Sequence, residues 1–262
     1  MEEITSTRNP RVRDLAALHR RRERRAQGRH LVEGPRTVLA AFAAGVLEEI
    51  WATDEALDGL DLPEDAPVVL VSEHVLERVA DARTPQGVVA LARTPSTALA
   101  EVVGAGLLVV LDAVADPGNV GTIVRTADAA GARGVVLTEG SADVFAPKTV
   151  RAAAGSTYHL PVVADVTIED VVGACRAAQQ PVLGLDGTGE RAVDELETWP
   201  APLALVLGNE AHGLAERTTQ LVDARVAIPL RGRAESLNVA AAAAIAIYAA
   251  ARGVHGGRAP HR

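Results

Sequence analysis

A chain of 262 residues suits one large or two modest domains, with length enough for a sizeable hydrophobic core. The formal net charge of −8 argues at first sight against a nucleic-acid partner, and the single cysteine, Cys175, excludes a disulfide framework or a multi-cysteine zinc site. The longest apolar run, residues 239–251, falls short of the roughly 20 residues a membrane span needs, and the acidic, polar start carries no evident secretory signal. The expectation is a soluble, cytoplasmic protein.

The charge is unevenly placed. Residues 1–36 hold ten arginines against five acids, a local charge of +5, which leaves −13 for the remainder. Asn9-Pro10 reads as an N-cap with proline at the first helical position. Val12, Leu15 and Leu18 then recur at threefold spacing, which predicts an amphipathic helix ending in the basic run of residues 20–25. Two readings of Arg20, Arg21, Arg22, Arg24 and Arg25 stand open. They cap a solvated helix end against its macrodipole, or they form a phosphate-binding patch, for which the planar guanidinium fork is suited.

From residue 34 to 93 short helices and strands alternate: a helix over 35–44, strands over 49–52 and 68–71, a capped helix over 72–80 and a strand over 88–91. The polar, proline-containing stretch 93–97 suits a linker. The apolar run 107–111 predicts a buried parallel strand. Asp116-Pro117 opens a helix that closes at Gly131, a strand follows over 135–137, the stretch 157–163 is ambiguous, and 168–178 is helical. Strands over 182–185, 203–207 and 225–228 precede a last helix over 238–252. This alternation predicts a parallel sheet covered on both faces. The expected division is a basic helical arm over 1–29, a domain over 30–95, a larger domain over 96–253 and a flexible tail over 254–262.

Several chemistries lack their usual equipment. No G-x-G-x-x-G follows a strand, Lys148 stands in no P-loop, and the histidines show no H-x-x-x-H spacing. Cys175 shares an apolar helix with Val171, Val172 and Ala178 and reads as a buried structural thiol. No metal site is expected. What remains is three polar interruptions, each just after an apolar strand. The first is Asp116-Pro117-Gly118-Asn119-Val120-Gly121-Thr122-Ile123-Val124-Arg125, the second Gly208-Asn209-Glu210-Ala211-His212-Gly213, and the third runs from Ile228-Pro229-Leu230-Arg231 to Ser236-Leu237-Asn238-Val239. Ligands of open α/β sheets bind beyond the carboxyl ends of strands, so the three loops can share one pocket.

In this order and spacing the segments resemble motifs one, two and three of the SpoU (TrmH-like) family of RNA ribose 2′-O-methyltransferases, of the SPOUT superfamily. The likeness spans about residues 107–252, and Leu31-Val32-Glu33-Gly34 together with Thr84-Pro85-Gln86-Gly87-Val88 resembles the family's N-terminal substrate-binding domain. The resemblance implies a C-terminal α/β trefoil-knot domain with a parallel sheet. It also implies a smaller N-terminal α/β domain similar to ribosomal proteins that grip RNA, and a homodimer formed through the knotted domain. It implies S-adenosylmethionine as cofactor, contacted by Gly208, Asn209, Ile228 and Leu237. Asn119, Arg125, Glu210, Ser236 and Asn238 would form the catalytic set. The fit departs at Ala240, where serine is common in the family.

Methyl transfer to a ribose oxygen needs positioning, in-line approach and loss of the hydroxyl proton, and no metal. A guanidinium is effectively always protonated, so Arg125 is better suited to binding an RNA phosphate and stabilising charge on the 2′ oxygen than to acting as a base. Local readings stay beside these. Asn119 can serve a helix-end hydrogen bond, and Ser236 and Asn238 can cap the last helix. Glu210 can pair with Arg231 or Arg233, and Ile228 and Leu237 by default belong to a core. The implied function is 2′-O-methylation of RNA, most readily ribosomal RNA. A tRNA 2′-O-methyltransferase and a catalytically silent RNA-binding or ribosome-assembly protein are the alternatives. With an RNA substrate, the basic run reads better as a phosphate-binding patch.

Overall fold

The computed structural model describes residues 2–199 and 201–254. Among them no helix is long and apolar enough to cross a membrane. The chain forms two compact units, Met1–Pro95 with Asp143–His159, and Ser96–Ala142 with Leu160–Arg262.

The first unit runs β1 (Glu2–Ile4), α1 (Pro10–Ala17), α2 (Arg21–Gln27), β2 (Arg29–Glu33), α3 (Pro35–Ala43), β3 (Leu47–Ala52), α4 (Asp54–Leu57), β4 (Val68–Val71), α5 (Glu73–Val79) and β5 (Val88–Arg93). Its strands form one sheet in the order β1-β4-β3-β5-β2, mixed because β5 is antiparallel to both neighbours. Asn9 caps α1 by accepting from the Arg11 amide at 2.9 Å, and Val12, Leu15 and Leu18 enter a core with Trp51, Val71 and Leu76.

The single helix expected through residue 25 is in fact two. Helix α1 ends at Ala17, and the Arg24 guanidinium of α2 folds back to donate to the carbonyls of Leu18 and His19 at 2.7 and 2.8 Å. Those carbonyls lie just past the last turn of α1, so the arginine fixes the corner between the two helices. Nor is 1–29 a separate arm, since β1 pairs with β4 and α1 supplies core residues.

The second unit carries β6 (Leu107–Leu111), α6 (Pro117–Ala129) and β7 (Gly134–Thr138). The chain then spends residues 143–159, with helix α7 (Pro147–Ala153), in the first unit. It returns as β8 (Val162–Val166), α8 (Ile168–Ala177), β9 (Val182–Leu185), β10 (Arg191–Ala192), β11 (Leu203–Leu207), α9 (Glu216–Leu221), β12 (Ala224–Ala227) and α10 (Val239–Val254). The seven strands are all parallel, in the order β10-β12-β9-β11-β6-β7-β8. Strands β6, β7 and β11 are buried at every position, which is why β6 and β11 read as unbroken apolar runs. Cys175 is buried in α8, where burial, with Asp223 adding to it, pushes the thiol up to about 11. The alanine-rich α10 packs on α6, β6 and β11.

The 143–159 segment was expected in the larger domain. Its attachment to the first unit is polar as well as apolar. Asp143 accepts from Arg24 at 2.6 Å, Arg151 reaches Glu33 at 2.9 Å and Asp81 at 2.7 Å, and Tyr158 lies 2.8 Å from the ring of buried His30. Of the expected tail, residues 255–262 lie outside the described residues.

Candidate active site

The site is built at the carboxyl end of the parallel sheet, where β6, β9, β11 and β12 release their loops. Beyond β6, Asp116 caps α6 by accepting from the Asn119 amide at 2.9 Å, with Pro117 opening the first turn. This leaves the Asn119 side chain free for other work. Its Nδ2 donates to Glu210 at 3.1 Å, while its Oδ1 accepts from Nδ2 of Asn238 at 3.2 Å. The three loops therefore meet in one hydrogen-bonded chain.

Each end of that chain is anchored on backbone. Glu210 also accepts from the amides of Asp116 at 3.0 Å and Ala115 at 3.1 Å. Partial burial acts to raise its carboxyl, but the donors from Asn119, Asp116 and Ala115 outweigh that and hold it below the ordinary carboxylate range. Asn238 turns its Oδ1 to the amides of Ala240 at 2.9 Å and Ala241 at 3.3 Å and so caps α10. Asn209 completes the clasp. Its amide donates to the Ala113 carbonyl at 2.9 Å, holding that residue at φ 57°. A left-handed alanine persists only where its surroundings impose it. Underneath, buried Asp112 accepts the hydroxyls of Thr138 at 2.9 Å and Thr218 at 2.6 Å.

Beside this chain lies a pocket of about 280 Å³, just below the roughly 300–1,000 Å³ usual for ligand sites. Gly208, Asn209, Glu210, Ile228, Ser236 and Leu237 all line it. Leu237 is exposed at 39% and Ile228 is half-buried, so neither is the core residue it would be by default. A Cβ at Gly208 would lie 2.3 Å from the Gly213 carbonyl oxygen, so only glycine lets the second loop fold this tightly. Leu185, Asp186 and Gly187 line the same pocket and are not among the sequence candidates. Their position after β9, a neighbour of β11, is the signal that marks them.

The remaining sequence candidates are Arg125, in the same unit, and the basic run, in the first unit. Arg125 is exposed on α6, about 120° round the helix from Asn119, and does not line the pocket. In the basic run, Arg20, Arg21, Arg22 and Arg25 are exposed, but Arg24 is 5% exposed and committed to Asp143 and the carbonyls of Leu18 and His19. The patch therefore loses one of its expected members to the interior of the first unit.

A sequence model of the SpoU rRNA Methylase family matches residues 106–248. The chain belongs to that family. A second model, of an MRM3-like substrate binding domain, matches residues 9–90. The 23S rRNA (guanosine(2553)-2′-O)-methyltransferase RlmP of Bacillus subtilis is 37% identical, over 95% of this chain and 98% of its own length. The 23S rRNA (uridine(2479)-2′-O)-methyltransferase of Streptomyces viridochromogenes is 34% identical over 95% and 91%. Among solved structures, the AdoMet-bound rRNA methyltransferase of Sinorhizobium meliloti superposes with a TM-score of 0.86 at 32% identity, covering 96% of this chain and 97% of that one. The family fold is the one expected from sequence, a C-terminal SPOUT domain on a parallel sheet with a smaller N-terminal α/β domain.

Proposed function

We propose that this protein transfers the methyl group of S-adenosylmethionine to a ribose 2′-hydroxyl of ribosomal RNA. Family membership supports the chemistry, and the names of the Bacillus and Streptomyces relatives, both acting on 23S rRNA, favour ribosomal over transfer RNA. The observation that carries the reading is the convergence of Asn119, Glu210 and Asn238 in one hydrogen-bonded chain beside the pocket formed by Gly208, Ile228 and Leu237. A silent binder has no use for that arrangement.

The pocket suits the cofactor. Leu207, Ile228, Leu237 and Val239 give it apolar walls, and the main chain of Gly208, folded tightly against Gly213, adds a polar edge. When bound, S-adenosylmethionine supplies an electrophilic methyl group on a sulfonium. Gly208, Asn209, Ile228 and Leu237 hold it there. Asn119 and Asn238 fix the geometry around the incoming ribose, and Ser236, on the pocket wall, offers a hydroxyl toward it. Glu210 is spent on its donors and serves as the anchor of the chain, not as a proton acceptor. Arg125 binds a phosphate next to the target nucleotide and stabilises the developing oxyanion, and the proton passes to that phosphate or to water.

The first unit binds the RNA, with Arg20, Arg21, Arg22 and Arg25 on its surface as phosphate contacts. The protein works as a homodimer through the second unit. Ile245 and Tyr248, exposed at 44% and 49% on one side of α10, support that assembly, and sedimentation velocity checks it. An RNA substrate of this class agrees with a cytoplasmic location.

The test is methylation of unmodified 23S rRNA transcript with labelled S-adenosylmethionine, followed by mass-spectrometric mapping of ribose methyl groups. One or few 2′-O-methylated nucleotides are expected. Calorimetry showing no S-adenosylmethionine binding at millimolar concentration would leave the silent binder as the answer.

A further inference from the structure

The arginines of the second unit divide sharply by what they touch. Arg133, Arg176, Arg191, Arg217, Arg225 and Arg252 each lie within hydrogen-bond or ion-pair reach of a protein oxygen. Among the described residues, Arg125, Arg231 and Arg233 make no such contact. One of these is the arginine of the first motif. The other two flank Gly232 in the loop between Ile228 and Asn238, which is exposed from Pro229 to Asn238 and whose Leu230, Glu235, Ser236 and Leu237 form a wall of the cofactor pocket.

The nearby acids do not claim them. Glu210 is satisfied by Asn119, Asp116 and Ala115, and Glu235 is exposed on the same loop without forming an ion pair. In a chain of net charge −8, two unpaired guanidiniums on an exposed loop that also walls a pocket are placed for an anion brought from outside. A guanidinium fork matches two phosphate oxygens at once.

We propose that Arg231 and Arg233 are substrate-binding residues that grip phosphodiester groups beside the target ribose and so hold the RNA strand over the pocket. The assignment rests on the RNA-methyltransferase reading above. It gives the third loop two tasks on one short segment: Leu237 faces the cofactor while Arg231 and Arg233 hold the RNA strand. Both arginines are exposed and unpaired, so their replacement leaves the fold intact.

The experiment compares the full-length protein with Arg231→Gln/Arg233→Gln and Arg231→Lys/Arg233→Lys on 23S rRNA transcript. Each phosphate contact contributes roughly 0.7–0.9 to the slope of log affinity against log salt, so the double glutamine variant should flatten that slope by roughly 1.4–1.8. KM for RNA should rise by roughly tenfold or more with kcat nearly unchanged, since such contacts hold ground state and transition state alike. The lysine variant should keep the salt slope, and S-adenosylmethionine affinity should not move in either. An unchanged slope and KM in an active glutamine variant overturns the assignment alone. Weakened S-adenosylmethionine binding also overturns it, assigning the cations to the cofactor's carboxylate instead. A wild-type protein that binds S-adenosylmethionine but never methylates RNA overturns the function reading and this one with it.

Discussion

The amides of Asn119 and Asn238 are oriented by what lies at the two ends of their chain. Ionised Glu210 can only accept, so it takes Nδ2 of Asn119, which turns Oδ1 toward Asn238. The helix α10 presents only amide donors, so it takes Oδ1 of Asn238 and turns its Nδ2 back to Asn119. Each group fixes the next. Asn238→Asp therefore separates two roles that Asn238→Ala confounds. Aspartate keeps the cap, worth about 1 kcal/mol, so thermal stability should hold, whereas alanine should lose about that much. Aspartate cannot donate to Asn119, and flipping Asn119 would set its oxygen against Glu210. Turnover should then fall by roughly a hundredfold, the scale of a small misplacement of reacting groups, in aspartate and alanine variants alike. An Asn238→Asp enzyme of normal kcat would show that the chain does not position substrate. The three loops of this site are legible as polar interruptions after apolar strands, and the resemblance to known motifs singles out their residues. Asp186 and Asp112 are not legible, since an acid after a strand has no signature until the sheet order places it.

At the scale of elements, strands and helices with strong local signals were legible and those made by distant partners were not. The runs over 107–111, 182–185 and 203–207 are strands of just those bounds, since burial on both faces demands unbroken apolar side chains. The split between α1 and α2 and the placing of residues 143–159 are illegible in the sequence for one shared reason. Arg24 looks like its basic neighbours, and what distinguishes it is Asp143, 119 positions away. That pair has side-chain exposures of 5% and 16%. Removing one partner of a buried pair costs roughly 3–5 kcal/mol, because the other is left uncompensated. Arg24→Met should lower the stability of the first unit by about that much in urea unfolding, while exposed Arg22→Gln should change it by less than about 0.5 kcal/mol. Equal effects would mean that the Arg24 pair contributes nothing beyond a surface charge.

For the whole molecule, the two units respond to pH in opposite directions, and the chain happens to carry a separate reporter for each. Its two tryptophans are divided, Trp51 buried in the first unit and Trp199 beneath Arg191 in the second. In the first unit burial holds His30 down to about 3, with Asp143 pulling upward and Arg24 lowering it further. The unfolded chain takes up a proton near 6.5 that the folded unit refuses, so stability is full above that pH and falls as pH drops toward 3. The slope approaches about 1.4 kcal/mol per pH unit. In the second unit the Cys175 thiol, raised to about 11, stays protonated while the unfolded chain ionises near 9. Stability there is full below pH 9 and is lost as pH rises through about 11. Trp199→Phe leaves Trp51 to report the first unit, and Trp51→Phe leaves Trp199 to report the second. The Trp51 urea midpoint should fall between about pH 6.5 and 5, before most carboxylates titrate, and that fall should vanish in His30→Gln. The Trp199 midpoint should hold over that window and fall on the alkaline side, an effect absent in Cys175→Ala. Both reporters moving together in both windows would show that neither buried group governs its own unit.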